Sequence, residues 1–189
     1  MQKFWPTFRA DLYRYSGKIS LGIFLKHWFL TPGIKYSFYL RLCHALKKKP
    51  FKGLGLYYLF KFILIQTGFR YGIEIAESAQ IGPGLYIGHF GGIVVNGQAV
   101  IGKNCNLSHG VTIGQQNRGE RAGCPVIGNN VFIAPGAKII GKVQVGNRAA
   151  IGANSVVVQD VPESGVVGGI PAKLLSMDSS EGYINNTIV

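Results

Sequence analysis

From Ile75 onward an aliphatic residue returns every six positions, and no other feature of the chain restricts its fold so strongly. Ile75, Ile81, Ile87 and Ile93 share one phase. Val95, Ile101, Leu107 and Ile113 share a second, and Ile127, Ile133, Ile139, Val145, Ile151 and Val157 a third. Four residues after the aliphatic position stands a small or β-branched one: Ala79, Ala99, Cys105, Val111, Val131, Ala137, Val143, Ala149 or Ser155. Such hexapeptides predict a parallel β-helix of triangular section, with about 18 residues per coil and both marked positions turned inward. Gly follows the aliphatic residue at Gly82, Gly88, Gly102, Gly114, Gly128, Gly146 and Gly152, where it is expected to permit the bends between short strands.

The breaks in phase carry information. Two residues are gained near Gly91-Gly92. Between Ile113 and Ile127 stand fourteen residues instead of six, so "QQNRGERAGC" (115–124) must leave the coil as a loop, a candidate lid or substrate wall. Counting faces puts Ile75, Val95 and Ile113 on face one. Ile81, Ile101 and Ile127 fall on face two, and Ile87, Leu107, Ile133 and Ile151 on face three. Two residues past each face-three aliphatic come His89, His109, Pro135 and Ala153, which predicts a column with a spacing of about 4.8 Å. His89 and His109 are therefore expected on adjacent coils, beside the loop, in space cleared by Gly88, Gly91 and Gly92.

Charge divides the chain in the same place as the repeat. Residues 1–72 hold 13 Lys+Arg against Asp11 alone, which accounts for the whole net charge of +12; residues 73–189 hold seven of each sign. We read 1–72 as a basic, aromatic-rich helical region, 73–175 as the β-helix domain and 176–189 as a C-terminal tail. The start lacks the uninterrupted apolar core and small-residue site of a cleavable signal peptide. In the apolar run 53–69 Lys61 stands mid-way, which fits a helix lying in a membrane interface better than one spanning it. Lys47, Lys48, Lys49 and Lys52 beside that run read as an anchor on an anionic inner leaflet. Nucleic acid is not expected as a partner, because no binding motif accompanies the charge. Cys43, Cys105 and Cys124 are odd in number and lack metal-like spacing, as in a reduced, cytoplasmic protein with no metal site.

The segments "IEIAESAQIGPGLYIGHFGGIVV", "PGAKIIGKVQVG", "IGANSVV" and "GGIPAK", together with the extruded loop, resemble the serine acetyltransferase branch of the hexapeptide acyltransferases. The similarity runs from about Gly72 to Lys173. It implies a left-handed β-helix assembled as homotrimers, with acetyl-coenzyme A as a co-substrate bound in clefts between subunits and no tightly held cofactor. It also implies His89 as general base and Glu74 as the acid that orients it. The pantetheine arm would run along Pro135 and Ala153 with Gly114 at its edge, and Lys173 would stand near the nucleotide end.

Departures from the family pattern affect the acceptor. Gly88 stands where the branch has an Asp before the base, and Gly123-Cys124 where it has an Arg-His pair. His109, Gly88 and Cys124 are thus the candidate acceptor-site residues, with Cys124 read as a wall rather than a nucleophile. Enzymes similar in both halves acetylate sugars of capsule or exopolysaccharide, so the expectation is O-acetylation of a sugar hydroxyl in surface-polysaccharide synthesis, with peripheral membrane contact. The alternative is serine O-acetylation feeding cysteine synthesis. Lesser alternatives are a non-catalytic scaffold and a zinc enzyme like the γ-type carbonic anhydrases, which would need a third histidine near His89 and His109.

Overall fold

The computed structural model describes residues 3–47 and 54–187. Lys48, Lys49 and Lys52 of the expected anchor lie outside the described residues. Four helices come first: α1 (Phe4–Ser16), α2 (Leu21–Leu30), α3 (Pro32–Lys47) and α4 (Leu54–Tyr71). Local chemistry sets their ends. Gly17 adopts φ 64° and closes α1 by donating its N–H to Tyr13 O. The Ser20 hydroxyl accepts the Ile23 N–H to cap α2, and Pro32 opens α3 at a position that needs no N–H.

The β-helix follows with the three faces read from the period. Face one stacks β1 (Ile73–Ile75), β3 (Ile93–Val95), β6 (Thr112–Gly114), β9 (Lys138–Ile140) and β12 (Val156–Val157). Face two stacks β2 (Gln80–Ile81), β4 (Val100–Ile101), β7 (Val126–Ile127) and β10 (Gln144–Val145). Face three stacks β5 (Asn106–Leu107), β8 (Phe132–Ile133), β11 (Ala150–Ile151), β13 (Val166–Gly169) and, antiparallel at the end, β14 (Ala172–Ser176). All other pairings are parallel, and Ile75↔Val95↔Ile113↔Ile139↔Val157 run in register. The small-residue column is buried throughout, from Ala79 to Ser155, so the prism is filled by aliphatic and small layers.

The glycines of the Ile-Gly pairs work differently from the expectation. The corners are turned by residues with positive φ, among them Gly92, Gly110 and Gly136 at the corner between faces three and one. Gly82 and Gly102 have ordinary φ, but an added Cβ would come within 2.7 Å and 2.5 Å of the backbone of the next coil. They are required by close stacking, not by bending.

The helical region caps the open end of the prism, where the first coil has no neighbour to pair with. Each face receives one polar side chain. On face one the Tyr36 hydroxyl accepts from Ile75 N at 2.9 Å and donates to Ile75 O at 3.2 Å. On face two Arg41 donates to Ile81 O and Gly82 O at 2.6 and 2.7 Å. On face three the Tyr15 hydroxyl accepts from Ile87 N and donates to Ile87 O, at 2.9 and 3.0 Å. Asp11, fully buried, accepts the N–H groups of Gly84 and Leu85 at 2.9 Å each and forms a two-pronged pair with Arg41 at 2.9 and 3.1 Å. Ser37 also donates to Asp11. Arg14 completes the cap through Gly84 O, Asn106 Oδ1 and Asn185 O, the last from the C-terminal tail. That tail folds back, and Tyr183 stacks on Phe132 at 4.5 Å between ring centroids. Among the described residues no helix is long and apolar enough to cross a membrane.

Candidate active site

The corner between faces three and one carries the expected column. The His109 carbonyl accepts from Gly136 N, and that of Pro135 from Asn154 N, at 2.9 Å in both cases, so residues 109, 135 and 153 stack coil upon coil. His89 stands at the open end of the column. Its ring centroid lies 6.0 Å from that of His109 with the planes at 88°. Both imidazoles are exposed. The two residues gained at Phe90–Gly92 lift the chain over the corner, and Phe90 packs edge-on against Tyr71 at the end of α4, at 5.6 Å. An exposed imidazole can accept a proton from an approaching hydroxyl.

Other expected partners lie elsewhere. Glu74 stands in the middle of β1, opposite Val94, on the outer surface of face one. It lines a cavity of about 670 Å³ between α4 and that face, and no hydrogen bond or ion pair joins it to His89 among the described residues. The pairing of Glu74 with His89 is therefore not seen within one chain. The loop is also displaced from its expected place beside the histidines. It leaves after Gly114 and returns at Val126, at the corner between faces one and two. His109 and Gly114 are five residues apart, at most about 17 Å at about 3.3 Å each. Gln116 and Gly123 close the loop with two backbone hydrogen bonds of 2.8 and 3.0 Å, and Arg121 pins it outward through Asp160 at 2.9 Å. Cys124 donates to Asn96 Oδ1 at 3.3 Å, and burial raises its thiol above the ordinary range. A wall residue fits that environment and a nucleophile does not. Lys173 is exposed on β14, paired with Gly168 beyond the Ala153 end of the column.

Gly88 is exposed, and a Cβ there would meet the Tyr86 ring at 2.8 Å and its hydroxyl oxygen at 3.0 Å. Tyr86 thus fills the volume beside the base that a larger residue at 88 would take. It is held by Tyr15 at 4.5 Å and by Arg14 over its ring at 5.7 Å. The sequence reasoning missed Tyr86, and also Lys138, whose ammonium donates to Gly110 O beside the column. Lys138 could have been found: it is the cation at the outward position of face one, two strands along from Val94. Among the described residues no three His, Cys, Asp or Glu side chains converge as a metal site would need.

A family model described as bacterial transferase hexapeptide (six repeats) matches residues 124–159. The serine acetyltransferase of Helicobacter pylori (strain J99 / ATCC 700824) is 37% identical over 149 residues, 79% of this chain and 84% of that protein. Among solved structures, serine acetyltransferase of Neisseria gonorrhoeae in complex with serine superposes with a TM-score of 0.75 at 31% identity, covering 92% of this chain and 69% of the other. That of Brucella abortus strain S19 in complex with coenzyme A gives 0.76 at 30% identity, covering 90% and 67%. These relatives overturn the expectation of a sugar acceptor in polysaccharide synthesis. Its physical premises also weaken: the helical region has a structural task in capping the prism, and three absent side chains do not by themselves define a new acceptor.

Proposed function

This chain belongs to the serine acetyltransferase family of hexapeptide transferases, which are acetyl-coenzyme A-dependent O-acetyltransferases, and from that premise we propose that it moves the acetyl group of acetyl-coenzyme A to the side-chain hydroxyl of L-serine. The observation that carries the reading is the span of the match. Residues 73–189 number only 117, so 149 matched residues must reach into the capping helices as well as the β-helix. The likeness covers 84% of that relative and is not to the repeat alone.

In this reading His89 takes the proton of the serine hydroxyl as its oxygen attacks the thioester carbonyl. The tetrahedral intermediate collapses with loss of the coenzyme A thiolate, which takes up the proton held by the imidazolium. No covalent enzyme intermediate is needed, in keeping with the place of Cys124. The pantetheine arm lies along His109, Pro135 and Ala153, with Lys173 toward the nucleotide. Backbone N–H groups of the corner stabilise the developing oxyanion.

The proposal includes a threefold homotrimer. In one chain the column is an open surface, and Gly114 and Cys124 lie at the far end of face one. Packing face one of one copy beside the histidine corner of the next brings these two sets together and encloses the donor. With Gly88 and Gly123-Cys124 in place of charged groups, the amino acid is held by neutral contacts, Tyr86 among them, so a weak serine KM is expected. Incubating the purified chain with acetyl-coenzyme A and L-serine tests the reading. Serine-dependent release of the coenzyme A thiol and a product with the mass of O-acetylserine support it, and transfer to polysaccharide fragments but not to serine contradicts it.

A further inference from the structure

Helix α4 carries apolar side chains on its outer as well as its inner side, with Lys61, Gln66 and Arg70 among them. Its inner side is buried, with Tyr57 and Leu64 in the core. Its outer side is not: Tyr58, Phe62, Ile65 and Phe69 repeat at helical spacing and are 61%, 61%, 42% and 78% exposed, with Leu56 and Leu59 beside them. Helix α2 buries no residue fully and exposes Leu21, Leu25, Phe29 and Leu30. Both helices pack against α3, and Trp28 of α2 and Phe60 of α4 meet at Tyr39.

Glu74 and Glu77 of the β-helix line the cavity beside Ile65 and Phe69, but the charged side chains exposed on the helices themselves have one sign. Lys3, Arg9, Lys18, Lys26 and Arg70 are exposed, whereas Asp11, the segment's one carboxylate, is buried under Arg41. The described helical region therefore shows water apolar side chains and cations but no anion. A second copy laid against this surface by the same face would bring cation against cation. An anionic bilayer complements both properties, since aromatic rings and leucines enter the headgroup boundary while Lys and Arg meet lipid phosphates. We infer that the outer faces of α2 and α4 form a docking surface for an anionic lipid bilayer, on which the protein lies without crossing it. This is independent of the acceptor and of the reaction.

The test is co-sedimentation of the full chain with vesicles of phosphatidylcholine alone and of phosphatidylcholine mixed equally with phosphatidylglycerol. The protein is expected to bind the mixed vesicles, and raised salt to release part of it. The double variant Lys26→Gln/Arg70→Gln should bind about tenfold more weakly or worse, from about 1 kcal/mol per charge. Phe62→Gln/Phe69→Gln should also lose binding while keeping wild-type acetyl transfer. Should that variant not fold, tryptophan emission of the wild-type protein reports directly: brominated lipids in anionic vesicles should quench it. Equal binding to both vesicle types, binding to neither, or absence of quenching overturns the proposal. So does a Phe62→Gln/Phe69→Gln protein that keeps its lipid binding but changes its oligomeric state, which would assign the surface to a second copy.

Discussion

His109 presents its ring edge-to-face to His89, 6.0 Å between centroids, one coil further along the same corner. It is placed to touch the acceptor or the thioester, not to replace the base. His109→Ala should lower kcat/KM for serine by about tenfold, the effect of one lost hydrogen-bonding contact. Steady-state kinetics with both substrates varied would show it, and a loss as deep as that of His89→Ala would make His109 the base instead.

Ala153 is the small residue that leaves room at the far end of the column. Ala153→Trp should raise the KM for acetyl-coenzyme A at least tenfold and leave the KM for serine near the wild-type value, a steric loss of roughly 1.4 kcal/mol. Calorimetric titration with coenzyme A separates this from a change in chemistry. Unchanged donor affinity would remove the column from the donor site.

The buried Asp11–Arg41 pair should matter to stability and not to turnover. Asp11→Ala leaves a guanidinium buried without its carboxylate and strands the N–H groups of Gly84 and Leu85. A loss of about 3–5 kcal/mol is expected from denaturant unfolding. Asp11→Leu combined with Arg41→Met should recover part of it, because an apolar pair of similar volume carries no unpaired charge.

Glu77 gives a pH dependence with a defined sign. Burial alone would raise its carboxyl, but hydrogen bonds from Tyr57 at 2.5 Å and Lys61 at 3.2 Å, with the charges of Lys61 and Lys47, hold it below its ordinary 4.5. A depressed folded-state value contributes stability above the unfolded-state value, and that stability is lost as pH falls through the folded one. Both lysines are well exposed, so the contribution is about 0.5–1 kcal/mol. Urea midpoints should fall less between about pH 6 and about pH 3 in Glu77→Gln than in the wild type.

How far the fold was legible follows from which interactions repeat. The register Ile75↔Val95↔Ile113 could be counted from the sequence because every coil obeys one six-residue rule, and the insertion at Gly91-Gly92 showed as a shift of phase. The cap was not legible. Asp11 meets Arg41 across 30 residues and Leu85 across 74, each contact occurs once, and no periodicity marks it. The loop's length could be read from the fourteen-residue gap, and its corner was implied by Ile113 on face one and Ile127 on face two. Placing it beside the histidines ignored the length of the face between them. Whether Glu74 meets His89 was not legible for a related reason: spacing along the chain does not say whether a residue stands at a corner or mid-strand. The glycines after the aliphatic residues were legible as a repeat, but the reason for Gly82, Gly102 and Gly146 lies in backbone of the next coil, which no single hexapeptide contains.

If His89 is the base that activates the serine hydroxyl, turnover of the purified His89→Ala protein with L-serine and acetyl-coenzyme A should fall. The expected kcat is lower by roughly 10²–10⁴-fold, the usual contribution of a positioned acid–base group, with coenzyme A affinity and unfolding midpoint close to wild type. Near-native turnover of serine by His89→Ala would contradict it.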